Sequence, residues 1–164
     1  MTEAPDRHPL PEGMHPADAG SVVVGHDGSP GADLALSEAL LLARALEAPV
    51  VVVRAWSLAT APRPADWEFG YVASFGEYAE AVHQSLVSDT RSVLESCGDV
   101  PFEYRVVHAG PADSLVAISR DARLLVVGAR GLGGLAGMLL GSVSDQCVRH
   151  ARCPVLVTRE RGGS

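Results

Sequence analysis

Short apolar runs alternate along the chain with stretches in which apolar residues recur every three or four positions. Ser21–Gly25, Val50–Trp56, Phe102–Val107, Leu124–Gly128 and Pro154–Thr158 read as five strands. Val50–Trp56 is apolar on nearly every residue, as expected of a strand covered on both faces. Between the strands, Ala32–Glu47 places Leu34, Leu36, Leu40, Leu41 and Ala45 at helical spacing. Ser29 can cap this helix, Pro30 suits its first position and Pro49 stops it. A long helix is predicted over Ser74–Cys97, ending at Gly98. A short one runs from Pro111 to about Arg120 with Leu115, Val116 and Ile118 inward, and a last one spans Val143–His150. This alternation predicts an α/β fold, an open five-stranded parallel sheet with helices on both faces and right-handed crossovers.

Ligands of such sheets bind beyond the carboxyl ends of the strands, where strand order reverses. Two strand ends carry small, polar, turn-forming residues. One is Gly25-His26-Asp27-Gly28-Ser29 after the first strand. The other follows the fourth strand, where Gly128, Gly131, Gly133, Gly134, Gly137 and Gly141 crowd together before Ser142-Val143-Ser144-Asp145. A strand, a glycine-rich loop and a helix start make a phosphate cradle. Glycine lets backbone N–H groups approach an anion, and the helix start adds unpaired donors and the positive end of its dipole. Substitution of Gly131 or Gly141 by alanine is expected to weaken binding. A competing fingerprint, Gly131-Leu132-Gly133-Gly134-Leu135-Ala136, fits a dinucleotide loop. It lacks the acidic residue about twenty positions on, where Thr158-Arg159 stands.

Composition narrows the chemistry. The 164 residues suit one domain able to bury about 70% of its unfolded surface. Residues 1–20, with Pro5, Pro9, Pro11 and Pro16, are expected to be a flexible leader, its His8 and His15 solvated. The domain proper is expected over residues 21–160. A net charge of −7 speaks against nucleic acid as a partner and leaves the attraction of an anion to local donors. All thirteen positive side chains are arginine, so a phosphate-binding lysine, Schiff-base chemistry and a lysine general base are excluded. Cys97, Cys147 and Cys153 form no metal or disulfide spacing, which fits a reducing, cytoplasmic setting. No apolar run reaches the ~18 residues of a membrane span.

Gly128-x2-Gly131-x9-Gly141-Ser142, Val24-Gly25-His26-Asp27-Gly28-Ser29 and Cys153-Pro154-Val155-Leu156-Val157 together resemble the universal stress protein family. The similarity runs from about residue 21 to 158. It implies strand order 3-2-1-4-5, a dimer joined through the last strand, and ATP as ligand. By this resemblance Gly25 and Asp27 lie beside the nucleotide, and Ala55 presents backbone to adenine. Val127, Gly128, Arg130 and Gly131 hold ribose and phosphates, and Gly141, Ser142, Val143 and Ser144 hold phosphates at the helix start.

The residues themselves allow plainer roles. Asp27 can orient ribose hydroxyls or a magnesium-bound water, or simply bond its own turn. Ser142 and Ser144 can donate to phosphate, while Ser142 and Asp145 have capping-box spacing. Arg130 can fork onto a phosphate or remain a solvated charge. His26 reads as a surface or turn histidine. Cys147 and Cys153 read as small apolar packing groups. Trp67 and Tyr71 read as a lid or as packing on the sheet edge. The expected function is an ATP-binding regulatory protein, ATP with magnesium, acting by binding rather than turnover. The alternatives are a slow ATPase or phosphotransferase and a nucleotide-free dimeric module. The apolar fifth strand, at a predicted sheet edge, is expected to pair with a second copy over Pro154–Thr158.

Overall fold

The computed structural model describes residues 11–64, 70–134 and 137–160. Its elements follow in the order β1 (Val22–Gly25), α1 (Pro30–Ala45), β2 (Val50–Trp56), α2 (Phe75–Cys97), β3 (Phe102–His108), α3 (Pro111–Ile118), β4 (Leu124–Gly128), α4 (Ser142–His150) and β5 (Val155–Thr158). The five strands are parallel and ordered β3-β2-β1-β4-β5. This is the architecture the alternation and the resemblance imply.

Strand alternation sorts the core into two layers. Val22 and Val24 of β1 and Val50 and Val52 of β2 pack with Leu36, Leu40 and Leu86 of α1 and α2. Val23, Val51 and Val53 point the other way, to Leu115, Ile118 and Cys147 of α3 and α4. Cys147 is buried there, as a small apolar group. Both faces of the central strands are therefore dry, which is why their sequences are apolar at successive positions.

Helix ends follow local chemistry. Ser29 accepts from the Ala32 amide at the start of α1, with Pro30 next. The helix stops at Ala45, ahead of Glu47, because Glu47 turns to φ 52°. The amides of Glu47 and Ala48 then bond the carbonyls of Arg44 and Ala43, a Schellman closure. α2 opens with a capping box in which Ser74 and Glu77 bond each other's amides. The equivalent box expected at α4 is not formed. Gly141 is the N-cap, Ser142 is already helical, and the Asp145 carboxylate bonds Arg149 instead.

Part of the expected leader, residues 11–20, packs on the domain. Met14 and Ala17 are buried against Val107, Ile118 and the α3 side of the sheet. The Ala17 amide bonds the Ile118 carbonyl at 2.7 Å, and Arg105 bonds the His15 carbonyl at 2.8 Å. These residues thus pack with the cluster on the α3 face of the sheet. His8 and Trp67 lie outside the described residues.

Candidate functional site

The chain leaves β1 toward β2 and later crosses back to β4 on the other side of β1. The crevice at the carboxyl ends of β1 and β4 lies at that reversal. It opens into a cavity of about 1120 Å³, slightly above the ~300–1,000 Å³ usual for small-molecule sites. Gly25, Asp27, Ala55, Val127, Gly128, Arg130, Gly131, Gly141, Ser142, Val143 and Ser144 all line it. The topology thus gathers residues up to 119 positions apart in sequence into one hollow.

Close backbone approach builds the wall beside β4. A Cβ on Gly128 would come 3.0 Å from the Gly31 carbonyl oxygen, and one on Gly31 would come 2.9 Å from the Arg130 carbonyl oxygen. The first turn of α1 can therefore rest directly on the end of β4. Asp27 ties the two strand ends together. Its Oδ1 accepts the Ser29 amide at 3.0 Å and its Oδ2 accepts the Leu132 amide at 2.9 Å. A Cβ on Gly131 would overlap Asp27 Oδ2, so glycine is required there by contact. Burial pushes the Asp27 carboxyl up. The hydrogen bonds from Ser29 and Leu132 outweigh it and hold the group below the usual aspartate range.

At α4, no side chain caps the first turn, and Ser142 is exposed at the cavity rim. Ser144 is buried and its hydroxyl is turned to the carbonyls of Ala129 and Gly141, at 2.9 and 3.0 Å. It braces the loop against the helix, in place of the donation to phosphate read from sequence. Gly141 differs from Gly131, since its Cβ would meet nothing closer than 3.4 Å. Arg130 is exposed, and among the described residues its guanidinium has no hydrogen-bond or ion-pair partner. Tyr71 does not line the cavity; its hydroxyl donates to Glu77 at 2.8 Å.

Sequence reasoning missed part of the lining. His26 is buried, contrary to the surface reading. Its ring meets Asp33 at 2.9 Å and Arg54 at 2.8 Å. Burial lowers its pKa, helped by the Arg54 cation and opposed by Asp33. Arg54 continues to Asp89 of α2, Nη1 to Oδ2, at 2.8 Å. A charged residue inside an otherwise apolar strand was the available signal for this network. Trp56 and His108 form a second missed wall. Their ring centroids are 4.7 Å apart, and Phe75 closes the cluster at 5.0 Å from each.

This geometry can hold an anion on backbone amides and a flat group between strand ends. Among the described residues there is no cluster of three or more side chains able to hold a metal, and no helix long and apolar enough to cross a membrane.

Comparison with known proteins gives a consistent picture. Universal stress protein Rv2005c of Mycobacterium tuberculosis is 39% identical over 139 residues, covering 85% of this chain and 45% of that protein. Universal stress protein Rv2623 of the same organism is 36% identical over 146 residues, with 89% and 47% covered. The chain spans about half the length of the curated relatives it matches. Among solved structures, a universal stress protein in complex with cAMP superposes with a TM-score of 0.63 at 28% identity, covering 87% of this chain and 98% of that one. The universal stress protein from Archaeoglobus fulgidus in complex with dAMP shares the fold, with a TM-score of 0.60 at 24% identity and 84% and 96% covered. The model of the universal stress protein family matches residues 19–159, and with the motifs and the sheet order this establishes that the chain belongs to that family.

Proposed function

We propose that the protein binds ATP with magnesium in the β1/β4 crevice and acts as a cytoplasmic regulatory protein through binding, without turnover. The observation that carries this reading is the hollow itself: a switch-point cavity where Gly131 admits the loop against Asp27 and the first turn of α4 has no side-chain cap. In this reading adenine lies at the end of β2, against the Ala55 backbone and the Trp56–His108 wall. Ribose lies by Gly25, Asp27 and Val127. The triphosphate lies beside Gly128, Gly131 and Gly141 and on the unpaired first-turn amides of Ser142, Val143 and Ser144, with Arg130 closing over it. A nearby relative in structure is bound to cAMP, which supports a nucleotide of the adenine class.

The residues present fit such a group. Backbone donors need no lysine, and Arg130 supplies a fork for phosphate oxygens. Magnesium would ride on the phosphates, since it keeps most of its waters and needs few protein ligands. Asp27 is a poor general base, because both its oxygens accept backbone amides and its carboxyl is held below the usual range. Bound nucleotide would instead order the glycine loop and shift the population of a surface read by a partner. The half-buried Val155–Val157 on the edge strand β5 supports pairing with a second copy.

Calorimetry and thermal unfolding with Mg-ATP test the reading, with Trp56 fluorescence as a reporter in the wall. Nucleotide at a hundred times its Kd should stabilise the fold by about 2.7 kcal/mol. No stabilisation at millimolar nucleotide refutes it. Multiple-turnover phosphate release that disappears in Asp27→Ala would favour an ATPase instead.

A further inference from the structure

A hydrogen-bond chain behind the turn after β1 joins His26 to Arg54 and Asp33, side chains to which the motifs assign no role. The His26 side chain is fully buried between Asp33 of α1 and Arg54 of β2. Its Nε2 lies 2.9 Å from Asp33 Oδ1, a carboxylate oxygen that accepts, so Nε2 carries the proton. Its Nδ1 lies 2.8 Å from Arg54 Nη2 and 3.3 Å from the Gly28 amide. Both neighbours only donate, so Nδ1 is bare and the ring is neutral. The same guanidinium donates Nε–H to the His26 carbonyl at 2.9 Å, and Nη1 to Asp89 at 2.8 Å and Ser85 at 3.3 Å. Arg54 therefore holds both the ring and the main chain of the residue immediately before Asp27.

We propose that Arg54 is a positioning residue for the nucleotide site, holding the Asp27 turn through the neutral Nε2–H form of His26, so that protonating His26 disassembles the site. The binding half of this inference rests on the nucleotide reading above. A proton on Nδ1 would set donor against donor at 2.8 Å and a cation against a guanidinium. Either the ring turns or Arg54 withdraws, and both release the Gly28 amide or the His26 carbonyl. The charged groups facing the ring are Asp33 from α1, Arg54 from β2 and Asp27 from its own turn. Asp89 of α2 is reached only through Arg54. Burial and Arg54 outweigh the two carboxylates and keep the ring's pKa below 6.5. The stabilisation is thus complete above about pH 6.5, declines below it, and is gone once the pH has passed the lower folded value.

The test reads the ring nitrogens of ¹⁵N-labelled, ligand-free protein by NMR across the acid range, alongside cAMP affinity. The charge on the cAMP phosphodiester is constant over that range. His26 should show the Nε2–H tautomer and a midpoint below 6.5, with the Gly28 and Ser29 amides moving at the same midpoint. Arg54→Met should raise that midpoint. cAMP affinity should fall by up to about tenfold per pH unit below it. His26→Gln keeps an acceptor and a donor but does not titrate, so its affinity should stay flat; it also serves if Arg54→Met does not fold. An Nδ1–H tautomer, a midpoint at or above 6.5, or wild-type affinity running flat through the midpoint overturns the proposal. Absence of nucleotide binding even at neutral pH overturns the nucleotide reading and Arg54's part in it, while the ring spectra decide the lock itself.

Discussion

Gly131→Ala is the sharpest perturbation of the crevice. The new methyl group would overlap Asp27 Oδ2, the atom that accepts the Leu132 amide at 2.9 Å. Gly131 does not have the left-handed φ that favours glycine, so the cost comes from this contact and not from backbone strain. Either the carboxylate or the loop must shift, and the bond from Leu132 is lost in both cases. A hydrogen bond to a charged group contributes about 1.5–3 kcal/mol, and an exposed loop places this one near the lower end. Alanine also restricts the unfolded chain, which offsets about 0.4–1 kcal/mol. The net loss is about 1 kcal/mol, or a Tm lower by about 2–4 °C for a domain of this size. If Asp27 must be seated for nucleotide to bind, Kd should rise about five- to tenfold. Thermal unfolding and calorimetry measure both. The decisive comparison is a double-mutant cycle with Asp27→Ala, where the overlapping oxygen is gone and Gly131→Ala should cost little. An equal cost in both backgrounds would refute the contact argument.

Gly141→Ala separates stability from binding: its Cβ has room, so Tm should be nearly unchanged, while calorimetry shows weaker nucleotide binding if phosphate approaches the backbone there. Burial and the neighbouring Cys153 push the Cys147 thiol up to about 11. In native protein at mildly alkaline pH, mass spectrometry after thiol labelling should therefore find Cys147 modified last, after the half-buried Cys97 and Cys153. Asp27 contributes stability that is complete above pH 3.8 and lost as the pH falls through its lower folded value. Urea unfolding of Asp27→Asn should lose that acid limb and leave the earlier decline from His26 in place.

The strands, the helices and the glycine loop were legible because each rests on local rules. β-branched runs, the Ser29-Pro30 helix start and glycine density act over a few residues. The family motif added the order of the strands, and with it the claim that β1 and β4 share a crevice. Roles that depend on what a side chain meets were less legible. Ser142 and Asp145 have capping-box spacing, yet Gly141 takes the cap because the loop closes one residue earlier, its amide on the Ala129 carbonyl. Gly131 and Gly141 look alike in the motif, and only the neighbour of each Cβ separates them.

The amino-acid order alone determined the alternating elements, the two-faced apolar core and the glycine-rich, lysine-free make-up of the loop, since these follow from periodicity and composition. Tertiary structure alone decided which atoms meet across the crossover: Asp27 with the Leu132 amide, His26 with Arg54 and Asp33, Met14 with the α3 face. The reason is physical. Periodicity and propensity are properties of neighbouring residues, whereas a hydrogen-bond partner or a contact distance exists only once distant segments are packed together.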